Sequence, residues 1–170
     1  MIVLMAGLPG TGKTTLAREL ARATKGALVS KDEIRAALFA PEDVQYSLEQ
    51  DDFVMDVMLD VARFLVQKNP ARKVFLDGRT FSRAYQVDRV LEFARGLAQP
   101  WMILECSCSD ESARKRLDVG LNSAHPAQNR SFALYQKVKA HFEPITYPKT
   151  EIHTDAAFEQ CIEQALAVLG

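Results

Sequence analysis

The sequence predicts an α/β fold in three layers, α/β/α, with a five-stranded parallel sheet and a helical lid. Two observations predict it. Short apolar runs alternate with helical patterns from one end of the chain to the other, which argues for a parallel sheet covered by helices on both faces. The runs are mostly continuous rather than alternating, as in strands buried on both sides. The 170 residues, 48% hydrophobic and 25% charged, suffice for one core, so 1–170 is read as a single domain with a lid at about 114–130. No internal repeat, low-complexity tract or linker interrupts the alternation.

The first strand is expected over Ile2 to Ala6. A helix follows over Thr14 to Ala23, with Leu16, Ala17 and Leu20 on one face. A second short strand spans Ala27 to Ser30, and a short helix runs from Asp32 to Phe39 before Pro41 stops it. The longest helix, Ser47 to Gln67, carries Val54, Val57, Met58, Val61 and Leu65 at helical spacing. Asp52, Asp56 and Asp60 recur on another face and read as solvated charge rather than metal ligands. Lys73 to Asp77 is the third strand. Ser82 is the expected N-cap of a helix to Ala94. Trp101 to Cys106 is the fourth strand, with Trp101 in the core, and Asp110 to Asp118 is helical. Val119 to Asn129, with Gly120 and Pro126, reads as a mobile loop. Arg130 to His141 is helical, Glu151 to Thr154 is the last strand, and Asp155 to Leu169 the last helix.

A net charge of −1 argues against a broadly basic binder of nucleic acid, though not against a narrow basic cleft. Cys106, Cys108 and Cys161 form neither a disulfide framework nor a zinc pattern. With no leader pattern and no apolar run of about 18 residues, the expectation is a cytoplasmic protein without a membrane span. His125, His141 and His153 are scattered, so no nucleophilic triad is expected.

The strongest signal is Gly7-Leu8-Pro9-Gly10-Thr11-Gly12-Lys13-Thr14, a full G-x-x-x-x-G-K-[ST] between an apolar strand and a helix. Glycines let the backbone curl so that successive N–H groups form an anion nest, and the helix N-terminus adds its positive end. Lys13 is expected to reach the β- and γ-phosphates, and the Thr14 hydroxyl to ligate Mg²⁺. The expected ligand is a nucleoside triphosphate, ATP, with Mg²⁺. Residues 7 to 15, Thr15 included, form the candidate nucleotide site.

A P-loop alone does not separate kinases from other NTPases. No N-K-x-D pattern points to a guanine reader, and the chain is too short for the second domain of a ring ATPase. The second strand leads into Ser30-Lys31-Asp32-Glu33-Ile34-Arg35 at the ligand edge of the sheet. Asp32 there is positioned to accept the proton of an attacking hydroxyl, with Arg35 one turn on to hold the acceptor. Ser30 and Glu33 also match a capping box, compatible with that role. The third strand, Val74-Phe75-Leu76-Asp77, has the shape of a Walker-B strand, so Asp77 is the second candidate Mg²⁺ residue. Arg79 and Arg83, four apart, are candidate acceptor-binding residues. Arg116 and Arg130 flank the expected lid and are candidate stabilisers of transferring phosphate. Thr154 and Asp155 would lie near the adenine.

The chain resembles the predicted-kinase branch of the P-loop kinases, which includes zeta-toxin-like kinases, chloramphenicol phosphotransferases and the 5′-kinase domain of polynucleotide kinases. The matching pieces are GLPGTGKTTLAREL, SKDEIR, VFLDGRTFSR, WMILECSCSDESARKRL and HPAQNRSFALYQKVKAHFEPI, in family order over nearly the whole chain. The resemblance implies that Asp32 is the general base, Arg35 grips the acceptor, and Arg116 and Arg130 are the lid arginines. Many relatives carry a further arginine where Asp118, Val119 and Gly120 stand. The expected function is transfer of the γ-phosphate of ATP to a hydroxyl of a small-molecule acceptor. A nucleic-acid 5′ end is the alternative acceptor. A regulatory ATP-binding module and a toxin-type kinase acting on a nucleotide sugar are the rival readings.

Overall fold

The structure is a computed structural model, described for residues 1–120 and 131–170. Five strands, β1 (Ile2–Ala6), β2 (Ala27–Ser30), β3 (Val74–Asp77), β4 (Trp101–Ser107) and β5 (Thr150–His153), form one sheet. Its order is β2-β3-β1-β4-β5, and every pairing is parallel. The helices are α1 (Lys13–Ala23), α2 (Lys31–Leu38), α3 (Leu48–Lys68), α4 (Ala84–Gly96), α5 (Asp110–Gly120), α6 (Phe132–Ala140) and α7 (Phe158–Leu169). A 3-10 turn spans Pro41–Asp43.

Strand periodicity builds the three layers. Ile2, Leu4 and Ala6 face one side of the sheet, where Met55, Met58, Leu59 and Ala62 of α3 and Val87, Val90 and Leu91 of α4 complete the core. Val3 and Met5 face the other, against Leu16 and Leu20 of α1 and Cys161, Ala165 and Leu169 of α7. A smaller cluster of Ala113, Leu117 and Tyr135 joins α5 to α6 and packs against Leu8. With β1 central and its neighbours β3 and β4 reached by crossovers, the strand order switches direction at β1, so the ligand crevice opens beyond Ala6.

Several boundaries differ from the sequence expectation. α4 starts at Ala84, not Ser82, and no side chain of its own N-cap closes it. Glu143 does so instead: its two carboxylate oxygens accept from the Ala84 N–H at 2.7 Å and from Arg83 at 2.9 Å. α6 starts at Phe132, with the Ser131 hydroxyl accepting from the Leu134 N–H, and α7 starts at Phe158. Val119 and Gly120 continue α5 rather than opening a loop; the rest of the expected loop, and Arg130, lie outside the described residues.

On α3 the buried stripe is Val54, Met55, Met58, Leu59, Ala62 and Val66, while Val61 is exposed. The reason lies on the acidic face. Asp52 and Asp56 are not simply solvated: Asp52 pairs with Arg79 and Arg89, and Asp56 with Arg89, which turns that face toward α4 and the loop before it. Trp101 is half-buried and meets Tyr147 edge-on. Among the described residues, no helix is long and apolar enough to cross a membrane.

Candidate active site

Local chemistry curls the chain after β1. Gly7 sits at φ 128°, and a Cβ there would lie 2.2 Å from the Cys106 carbonyl oxygen, so only glycine lets the loop leave the sheet at this angle. The Lys13 ammonium donates to the Gly7 and Leu8 carbonyls at 2.8 and 2.7 Å, and the Thr11 hydroxyl donates to Leu8 O at 2.8 Å. The Gly7 N–H donates across to Thr80 O at 3.2 Å, which ties the phosphate loop to the β3–α4 loop. On the opposite rim Arg116 donates to the Thr154 hydroxyl at 2.9 Å and to Thr154 O at 2.6 Å, and the Thr154 hydroxyl donates to Thr11 O at 2.9 Å. Asp155 accepts from the Ser109 N–H at 2.7 Å, beside that rim. Thr15 points out of the loop and is exposed.

Beyond the loop lies a cavity of about 330 Å³. Lys13 and Thr14 border it on one side; Asp32, Arg35, Arg79 and Gln86 are among the residues bordering the rest. Register places the carriers: Ser30, the last residue of β2, pairs with Asp77, the last of β3, so α2 begins next to the β3–α4 loop. Ser30 caps α2 by accepting from the Glu33 N–H, while the Glu33 carboxylate pairs with Arg18 rather than completing a capping box. The close approach is marked by Gly78 (φ 96°), where a Cβ would meet Lys31 at 2.9 Å.

The polar wall is a network. Arg35 lies 3.6 Å from Asp32 and also binds Asp51 at short range; Lys31 binds the same Asp51 oxygen at 3.0 Å. Arg79 pairs with Asp52 at 2.8 Å. Burial pushes the Asp51 carboxyl up, but Lys31, then Arg35 and Arg79, outweigh it and hold it below its ordinary range. Burial pushes the Lys31 ammonium down, and Asp51 only partly restores it. The Tyr46 ring sits 5.3 Å from the Arg35 guanidinium.

The structure thus brings Lys13, Thr14, Asp32, Arg35 and Arg79 to one cavity. It does not bring Arg83 there: Arg83 is exposed, pairs with Glu143 and borders a separate cleft. Lys31, Tyr46, Asp51 and Gln86 also line the cavity and were not singled out from sequence. Asp51 is one residue off the Asp52–Asp56–Asp60 stripe, and only the packing of α3 against α2 reveals it. Ser107 Oγ and His153 Nδ1, register partners on β4 and β5, lie 2.7 Å apart at an exposed position that sequence spacing did not suggest.

A divalent cation fits one feature of the site. Asp77 is 1% exposed, and neither of its carboxylate oxygens has a hydrogen-bond partner among the described residues. A buried carboxylate left so is costly unless a cation or ordered water meets it. An oxygen donor of this kind is what Mg²⁺ takes.

The family model described as AAA domain, AAA_33, matches residues 2–145, and the chain belongs to this family of P-loop kinases. No curated protein sequence matches it. In fold the chain is similar to Mycobacterium tuberculosis APS kinase CysC in complex with AMPPNP and APS. That match has a TM-score of 0.74 at 14% identity and covers 99% of this chain and 96% of that one. It is also similar to a gluconokinase from Sinorhizobium meliloti 1021, with a TM-score of 0.67, 15% identity, and 99% and 90% covered. Chaetomium thermophilum Kti12 in complex with ADP-AlF3 matches with a TM-score of 0.71 at 15% identity, over 100% of both chains. At these identities the likeness is one of fold.

Proposed function

We propose that the protein is an ATP-dependent phosphotransferase that moves the γ-phosphate of ATP to a hydroxyl of a small-molecule acceptor. The observation that carries this reading is the one cavity bordered by Lys13 and Thr14 on one side and by Asp32 and Arg35 on the other. Its volume, at the low end for ligand sites, suits a small acceptor.

In the loop of residues 7 to 15, backbone N–H groups from Gly10 to Thr15 hold the triphosphate, and Lys13 neutralises the β- and γ-phosphates. Thr14 and Asp77 would hold Mg²⁺, which screens the charge that builds on the phosphate oxygens. Asp32 takes the acceptor's hydroxyl proton. The acceptor oxygen bonds to the γ-phosphorus as the bond from that phosphorus to the bridging oxygen breaks, and ADP leaves with the electron pair. Arg35 and Arg79 hold the acceptor in line. Arg116, at the rim of the phosphate loop, is assigned to the nucleotide, and Arg130, outside the described residues, is proposed as its lid counterpart on sequence grounds.

The test is a transfer screen with γ-labelled ATP over metabolites, antibiotics and 5′-hydroxyl oligonucleotides. Label on a small molecule is expected. Transfer to oligonucleotides alone would replace the acceptor class, and ATP consumption that no acceptor raises would point to a nucleotide-binding module instead.

A further inference from the structure

We infer that the acceptor is an uncharged polyol or sugar, not a phosphate ester, sulfate ester or carboxylate, and that Asp51 sets this preference; the inference rests on the kinase reading above. Three buried cations face the acceptor side of the cavity: Lys31, Arg35 and Arg79, at 7, 3 and 5% exposure. Alone they would make an anion clamp. Each is already held by a carboxylate. Lys31 and Arg35 share Asp51, Arg35 also faces Asp32, and Arg79 holds Asp52. Among the described residues, the three cations and these three carboxylates balance.

An anionic acceptor would have to compete with those pairs for buried cations and leave half-buried carboxylates without their partners. It would also stand beside Asp32, which must be ionised to take a proton.

Two unpaired polar atoms in the wall also suit hydroxyls. Gln86, 7% exposed, has its amide oxygen without a partner, while its amide nitrogen is given to Tyr85 OH at 3.3 Å. The Arg35 Nε is likewise buried without a partner. One needs a hydrogen-bond donor and the other an acceptor. A hydroxyl is both. Thr80 and Ser82 add two further hydroxyls to the lining, and Leu134 and Val138 add apolar surface for carbon-bound hydrogens.

The experiment uses the wild-type chain, Mg²⁺ and γ-labelled ATP with paired acceptors of one skeleton: ribitol and ribitol 5-phosphate, glucose and gluconate, myo-inositol and its monophosphate. In at least one pair the uncharged member should take label with kcat/KM roughly tenfold or more above its anionic partner. Transfer to the anionic members alone, or preferentially, overturns the inference and leaves the kinase reading standing. No transfer to any member of this panel, while AMPPNP and Mg²⁺ still raise the Tm, also overturns the inference; if the wider screen too finds no acceptor, the kinase reading falls with it. Asp51→Asn frees Lys31, leaves Arg35 with Asp32 alone, and should move the preference at least tenfold toward the anionic partner. An unchanged ratio in a folded Asp51→Asn protein removes Asp51 from the role, and the wild-type comparison stands whether or not that variant folds.

Discussion

Asp32 lies 3.6 Å from Arg35, which it shares with Asp51. Asp32→Asn removes the proposed proton acceptor and nothing from the phosphate loop. Transfer should fall about 10²–10⁴-fold while the ATP Kd, followed by calorimetry, stays close to wild type. At the other edge of the phosphate loop the Cys106 thiol is pushed up to about 12, chiefly by burial. Iodoacetamide at pH 8 should therefore leave Cys106 unlabelled in the folded protein and label it after denaturation, as read by peptide mass spectrometry.

Among the elements, the phosphate loop is the least tolerant. Gly7→Ala would set a methyl 2.2 Å from the Cys106 carbonyl at a backbone angle that side chains rarely adopt. It should cost about 2 kcal/mol or more, measured by urea denaturation, and weaken nucleotide binding with it. This element was legible in the sequence because its causes are local: an apolar run, glycines at fixed spacing, then a helix start. The same holds for Ser30, whose hydroxyl caps α2 from the adjacent residue. The start of α4 was not legible, since its cap is Glu143, distant in sequence. Nor was Asp51. Successive helix positions diverge by about 100°, so Asp51 and Asp52 serve different neighbours, and only the tertiary fold says which. Arg79 and Arg83 show the same limit: equal in sequence, one enters the cavity wall and the other pairs at the surface.

For the molecule as a whole, the half-buried carboxylate network links stability to pH. Asp51 has a folded pKa below its ordinary 3.8, so the unfolded chain binds its proton more readily. Its contribution is complete above the unfolded value and drains away as pH falls through the folded one. Urea midpoints should change little in this respect between about pH 7 and 5 and then drop toward pH 3; Asp51→Asn should lose less across the acid interval than wild type does. A different consequence follows from the Gly7 N–H held by Thr80 O. That peptide contact ties the proposed nucleotide loop to the loop that carries Arg79. Any coupling it transmits between the two proposed substrates must be equal in either order of arrival, by thermodynamic reciprocity.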